Sequence, residues 1–136
     1  MPGIDECLLQ AMVVPGARGA SIVDWTSGLA LGTVGETPGG DHEATAAETA
    51  ELARMAAEYP SFAPDETHET HEPGGAKGLP VEDLIVTTRT GYHVMRFVET
   101  TFDSSVFLHL WLDRDTGNLA LARLRLADLA ERLVLG

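Results

Sequence analysis

One cysteine, Cys7, stands in the whole chain, so no disulfide can form within it. A single thiol fits a reducing compartment, and a cytoplasmic location is expected. Basic side chains are scarce: nine Lys and Arg stand against twenty-one Asp and Glu, a formal net charge of −12. A field of that sign repels phosphate backbones and anionic lipids, which argues against nucleic-acid and membrane-surface partners. No apolar run approaches the roughly 18 residues that a membrane span needs. The opening Met1-Pro2-Gly3-Ile4-Asp5-Glu6 has neither a basic start nor an apolar signal core, so export is not expected. Aromatic residues make up only 6% of the chain, which leaves aliphatic side chains to fill the interior. A length of 136 residues fits one domain spanning 1–136. A chain of this size buries roughly two-thirds of its extended surface and needs no metal or disulfide staple.

The acidic excess is unevenly placed. Residues 36–83 hold twelve acidic and two basic side chains, whereas residues 84–136 hold six of each. The middle of the chain is therefore either a solvated face or a field that steers a basic protein partner.

Apolar spacing divides the chain into eight elements. In 4–14, Ile4, Leu8 and Met12 recur at helical intervals with Leu9 and Val13 beside them, and Pro15-Gly16 ends the run. Residues 19–25 and 29–34, joined by Thr26-Ser27-Gly28, read as a hairpin. The first of these strands is apolar on both faces, with Ala20 and Ile22 on one and Val23 and Trp25 on the other, so the sheet must be covered on both sides. A helix is predicted over 41–58, with Asp41 as N-cap and Glu43 in the first turn. Its alanines 46, 50, 53 and 57 form a seam of small side chains that lets a helix or a sheet approach closely.

Residues 60–80, rich in Pro, Gly and acidic groups, are expected to be a mobile acidic loop. Strands follow at 81–89, 92–99 and 106–112, separated by turns at Thr90-Gly91 and 100–105. The last strand is the most apolar run in the chain. Val106, Leu108, Leu110 and Leu112 share one face, and Phe107, His109 and Trp111 the other, which predicts a central strand. After a turn at Asp113–Gly117, residues 118–135 begin with strand-like alternation. The longer spacing of Leu119, Ala122, Leu126, Leu129, Ala130 and Leu133 decides for a helix, capped by Asn118. The order αββαβββα, with short turns inside each strand group, gives an α+β domain with an antiparallel sheet and helices on both faces.

That order, with these residues in it, resembles the roadblock/dynein light-chain family over roughly residues 4–135. Three stretches carry the likeness: Gly16-Ala17-Arg18-Gly19-Ala20-Ser21-Ile22-Val23-Asp24; the Gly91 turn before a strand ending in Phe97-Val98; and Leu112-Asp113-Arg114-Asp115-Thr116-Gly117-Asn118-Leu119 running into Ala122-Arg123. These are packing and turn patterns and hold no catalytic signature. The resemblance implies a five-stranded sheet in the order 2-1-5-4-3, with the first and last helices on one face and the middle helix on the other. It also implies homodimers or heterodimers built through third strands and middle helices. The partners it implies are a small Ras-like GTPase and a sensor-kinase complex of the actinobacterial kind, served as scaffold or activator.

The residues themselves support pairing. The third strand holds Leu84, Ile85 and Val86 with no proline, lysine or glycine to guard an edge, and a flat unguarded edge is a template for a second chain. A homodimer is expected along 82–88 and the middle helix, with Ala46, Ala50, Ala53 and Ala57 beside Leu84, Ile85 and Val86.

Chemistry of other kinds finds little footing. His68 and His71, amid carboxylates, could bind zinc or nickel weakly, but no helix fixes them and the order HETH is not that of a zinc protease; no metal site is assigned. Cys7 is expected to be a buried thiol whose pKa is raised by Asp5 and Glu6. His109 is expected to be a core histidine, His93 a residue of the sheet surface, and His42 part of the first turn of the middle helix. No nucleophile and base can be paired, and Gly16–Gly19 has the wrong spacing for a phosphate loop. A non-enzymatic protein without cofactor is therefore expected: a regulatory or scaffold dimer. The alternative is a small-molecule sensor, which needs an internal cavity that the bulky last strand argues against.

Overall fold

A computed structural model describes residues 3–63, 79–99 and 105–133. The first helix, α1, spans Ile4–Ala11 and is followed by strands β1 (Ala17–Asp24) and β2 (Leu29–Gly35). The long helix α2 spans His42–Glu58; β3 (Asp83–Thr87), β4 (Gly91–Val98) and β5 (Val106–Asp113) come next, and α3 (Leu119–Arg132) completes the described chain. All neighbouring strands are antiparallel, and the sheet order is β2-β1-β5-β4-β3. The architecture is α+β, as the pattern of apolar residues and the resemblance implied.

β5 lies at the centre because it is the strand that both faces need. Leu108, Leu110 and Leu112 join Leu8, Ile22 and Leu126 in one core cluster under α1 and α3. Phe107 points the other way, into a second cluster with Val23, Trp25, Met95, Phe97 and the alanines of α2. Ala20 and Ile22 belong to the first cluster and Val23 and Trp25 to the second, so β1 is divided between the faces as its sequence predicts. Each large aliphatic side chain so buried contributes on the order of 1.5–3 kcal/mol.

The helix ends follow their caps. Asp41 accepts hydrogen bonds from the backbone N–H groups of Glu43 and Ala44, and Asn118 accepts from that of Leu121. These satisfy donors that a helix N-terminus otherwise leaves open. α1 is shorter than its apolar spacing predicts. Beyond Ala11 the N–H groups of Val13 and Val14 bond back only three residues, to Gln10 and Ala11, a tightened last turn that leaves Val13 exposed.

Two stretches of the resemblance meet in space. Gly16, at φ 83°, lies against the backbone of Gly117, and a Cβ at Gly16 would run into it. The N–H of Asp113 donates to the Gly16 carbonyl at 2.8 Å. The Asp113 carboxylate accepts from Thr116 N–H and Oγ1, each at 3.0 Å, and this shapes the turn. These bonds hold its carboxyl below the usual carboxylate range. Gly19 sits so close to the Glu36 carbonyl that no side chain fits.

The third strand is shorter than the predicted 81–89. Val81 and Leu79 pack against the second core cluster, and Thr88 closes the turn through its N–H to the Gly91 carbonyl. Within the predicted loop 60–80, Pro60–Phe62 forms a single helical turn. Residues 64–78, and with them His68 and His71, lie outside the described residues.

Candidate functional site

The two edges of the sheet differ. β2 carries a bulge against the Ile22/Val23 step of β1, where the partner shifts from Gly32 to Ala30, and it ends at the positive-φ Gly35. Bulges of this kind twist an edge away from further pairing. β3, at the other end, pairs with β4 in unbroken register from Asp83↔Arg96 to Thr87↔Tyr92. Among the described residues no other strand lies on its outer side. Ile85 and Val86 are each 37% exposed, on opposite faces of that edge, and Leu84 is half-buried against the second cluster. The features that make an edge a template for a second chain are therefore present at β3 and blunted at β2.

The alanines of α2 are differently placed from the expectation that set them against a second chain. Ala46, Ala50 and Ala53 are 2%, 2% and 0% exposed, covered by the chain's own sheet. They have no surface left to offer. Ala57 is partly buried and packs on the same cluster, while Ala56, which the interval count passed over, is buried. The seam does admit a close neighbour, but that neighbour is the Phe107 side of the sheet. The face of α2 that remains outward carries Glu48, Glu51, Arg54, Met55 and Glu58. Tyr59 and Phe62 extend it as exposed aromatics just beyond the helix.

The buried polar residues Ser21, Thr45 and His109 all lie where the first half of α2 meets the sheet. His93 Nδ1 and His109 Nε2 are 2.8 Å apart in a hydrogen bond, and the rings are nearly parallel with centroids 5.1 Å apart. His93 also stacks beside Trp111, over which the Arg18 guanidinium sits at 3.8 Å from the ring centre. Burial first, then the nearby His93 and His42, pushes the His109 imidazole down to about 3, and burial lowers that of His93. The contact was not legible in the sequence. His93 lies opposite Trp111 and His109 opposite Met95, so the rings meet only along a diagonal set by the β4–β5 register. The space beside His109 and Trp111 is about 10 Å³, room for one water.

His42 stands in the first turn of α2, with Nε2 donating to the Gly35 carbonyl at 3.1 Å. Cys7 is fully buried and its thiol is pushed up to about 11 by that burial, against an opposing pull from Arg132. Burial, and not Asp5 and Glu6, is thus the cause of the raised thiol. Along α3, open grooves of about 290 and 360 Å³ flank Arg96. Asp83 lies between Arg96 at 3.7 Å and Arg123 at 3.1 Å. Among the described residues no group of three or more His, Cys, Asp or Glu is placed to hold a metal ion. No described helix is long and apolar enough to cross a membrane.

No family sequence model matches the chain, and no curated protein matches it. Solved structures do resemble it. A Roadblock/LC7 domain from Streptomyces avermitilis superposes with a TM-score of 0.65 at 17% identity, over 96% of this chain and 94% of that one. Myxococcus xanthus MglB gives a TM-score of 0.65 at 20% identity, over 94% of this chain and 79% of that one. An MglB with a tetrameric arrangement gives 0.66 at 16% identity, over 95% and 83%.

Proposed function

From a chain with the roadblock/LC7 fold, we propose a non-enzymatic regulatory protein that pairs with a second copy of itself and binds a small Ras-like GTPase or its signalling complex. The observation that carries the pairing is the asymmetry of the edges: β3 runs in unbroken register, whereas β2 is bulged. Joining two β3 edges would satisfy backbone groups that water now satisfies and would cover the Ile85 and Val86 side chains. The exposed face of α2, with Glu51, Met55 and Glu58, is left to take part in the contact, because the sheet covers most of the alanine seam. The tetrameric arrangement of one MglB supports oligomerisation as a property of this fold.

The GTPase is the partner class that the family resemblance implies. The acidic middle segment and the absence of an assignable nucleophile–base pair favour protein binding over chemistry. A sensor-kinase complex is a further partner of the same reading. Light scattering tests the pairing: the native chain should weigh twice 14.5 kDa, and Ile85→Lys with Val86→Lys should return it to a folded monomer. A native chain that stays monomeric at about 50 μM, some fifty times a dissociation constant of ~1 μM (about −8 kcal/mol), would refute pairing. Calorimetry and GTP-hydrolysis assays with small GTPases encoded in the same genome test the partner. No binding and no change of rate with any of them would refute it.

A further inference from the structure

We propose that the His93–His109 pair is an acid-sensitive latch that holds the first half of α2 on the sheet near neutral pH and loosens its hold under mildly acidic conditions. His109 projects from the central strand into the interface with α2, 4% exposed, and shares its small void with Thr45 and His42 of that helix and Ser21 of β1. The rest of the α2 interface is apolar: Ala50 and Ala53 lie on a cluster with Phe107, Met95 and Phe97. The first turn of the helix, at His42 and Thr45, therefore meets an imidazole, while Ala46, Ala50 and Ala53 are seated on hydrocarbon.

The pair works only while His109 is neutral. One ring donates N–H and the other accepts across 2.8 Å. A proton added to half-buried His93 can sit on its other nitrogen and leave the bond intact. A second proton, on His109, either sets two N–H groups against each other or places a bare charge in the core. Among the described residues no unpaired carboxylate faces it, and Glu36, which lines the same void, is paired. From β1, Arg18 lies over Trp111 and adds positive charge. Beyond β2, the Glu36 carboxylate is engaged by Arg18 at 3.5 Å. From α2 comes His42, a further imidazole, and Asp41 is taken up with capping. On β3 the residue opposite His93 is Val86, and Asp83 faces Arg96 and Arg123.

The sign follows from the protons bound. A histidine whose folded-state value lies below its free value of 6.5 is protonated more readily once exposed, so lowering the pH below 6.5 favours the open state. With the folded value at about 3, His109 alone raises the opening equilibrium about tenfold between pH 7.5 and 5.5. The outward face of α2 belongs to the surface assigned above to a second chain, so the latch would make that pairing pH-dependent. This consequence rests on the assignment, whereas the latch does not.

Hydrogen exchange of the full-length chain tests it, with protection factors corrected for intrinsic rates and α3 as internal reference. Protection of residues 42–50 should fall about tenfold from pH 7.5 to 5.5 and lie below that of α3 at both pH values, because a local opening costs less than unfolding the whole domain. His109→Gln keeps a hydrogen-bonding group without a titrating one and should abolish the fall. His93→Gln, on the half-buried partner, should fold normally and keep a fall of the size that His109 alone gives. The same readings in the Ile85→Lys chain separate the latch from pairing. Equal protection of α2 and α3, unchanged α2 protection in the native chain, or an undiminished fall in folded His109→Gln would overturn the proposal.

Discussion

Ala53 discriminates between a helix seam that serves the chain's own sheet and one that serves a partner. Its side chain is fully buried in the cluster formed by Val23, Trp25, Met95, Phe97 and Phe107. Ala53→Leu adds three heavy atoms where close-packed neighbours leave no room, and overpacking of this kind costs about 1–3 kcal/mol. For a domain of this size 1 kcal/mol corresponds to roughly 4 °C, so the melting temperature should fall by about 4–12 °C. Ala44→Leu, at an exposed position of the same helix, controls for leucine itself and should shift stability by no more than about 0.5 kcal/mol. Melting followed by circular dichroism at low micromolar protein keeps any contribution of self-association small and constant. Sedimentation measures association separately. The reasoning is refuted if Ala53→Leu leaves the melting temperature unchanged while it weakens self-association, because the seam would then face a second chain.

Gly16→Ala should cost about 2 kcal/mol or more, since φ is positive and the new methyl meets Gly117; chemical denaturation that shows less than 0.5 kcal/mol would remove the interlock of the two turns. Cys7, with its thiol at about 11 and no surface, should react with an aromatic disulfide at pH 7.5 at least about a hundred times more slowly in the folded chain than in urea; equal rates would mean that α1 does not cover it. Leu110→Ala, at a fully buried position of the central strand, should destabilise by about 2–5 kcal/mol, and a smaller loss in a urea titration would mean that neighbouring side chains collapse into the gap.

Much of the fold is legible because periodicity reports local exposure. The two-faced character of β5 and β1, and the caps at Asp41 and Asn118, follow from residue types at fixed offsets, and the observed elements agree with them. Boundaries were less legible. Val13 continues the apolar spacing of α1, but the turn that must deliver Gly16 to Gly117 ends the helix first. Val81 and Leu79 look like strand and loop residues, and both serve as packing for the second cluster.

The candidate site divides in the same way. That the third strand lacks edge guards is a property of Leu84–Thr88 as written. That β3 is an edge follows from strand order, and here the resemblance supplied what spacing alone does not. The orientation of α2 could not be read from composition. Its alanines mark a face fit for close approach, but whether a sheet or a second chain makes that approach depends on which surface is nearer once the chain has folded. The histidine pair was equally hidden, since it depends on register.

Residue order thus determined by itself which segments are helix or strand, which of their faces are apolar, and the sign of the surrounding field, because those are sums of short-range preferences. Tertiary structure alone decided where α2 turns its small side chains, that two imidazoles share a hydrogen bond, and that burial sets the state of Cys7. Each of these depends on distances between atoms far apart in the chain, and such distances exist only after the two core clusters have closed around β5.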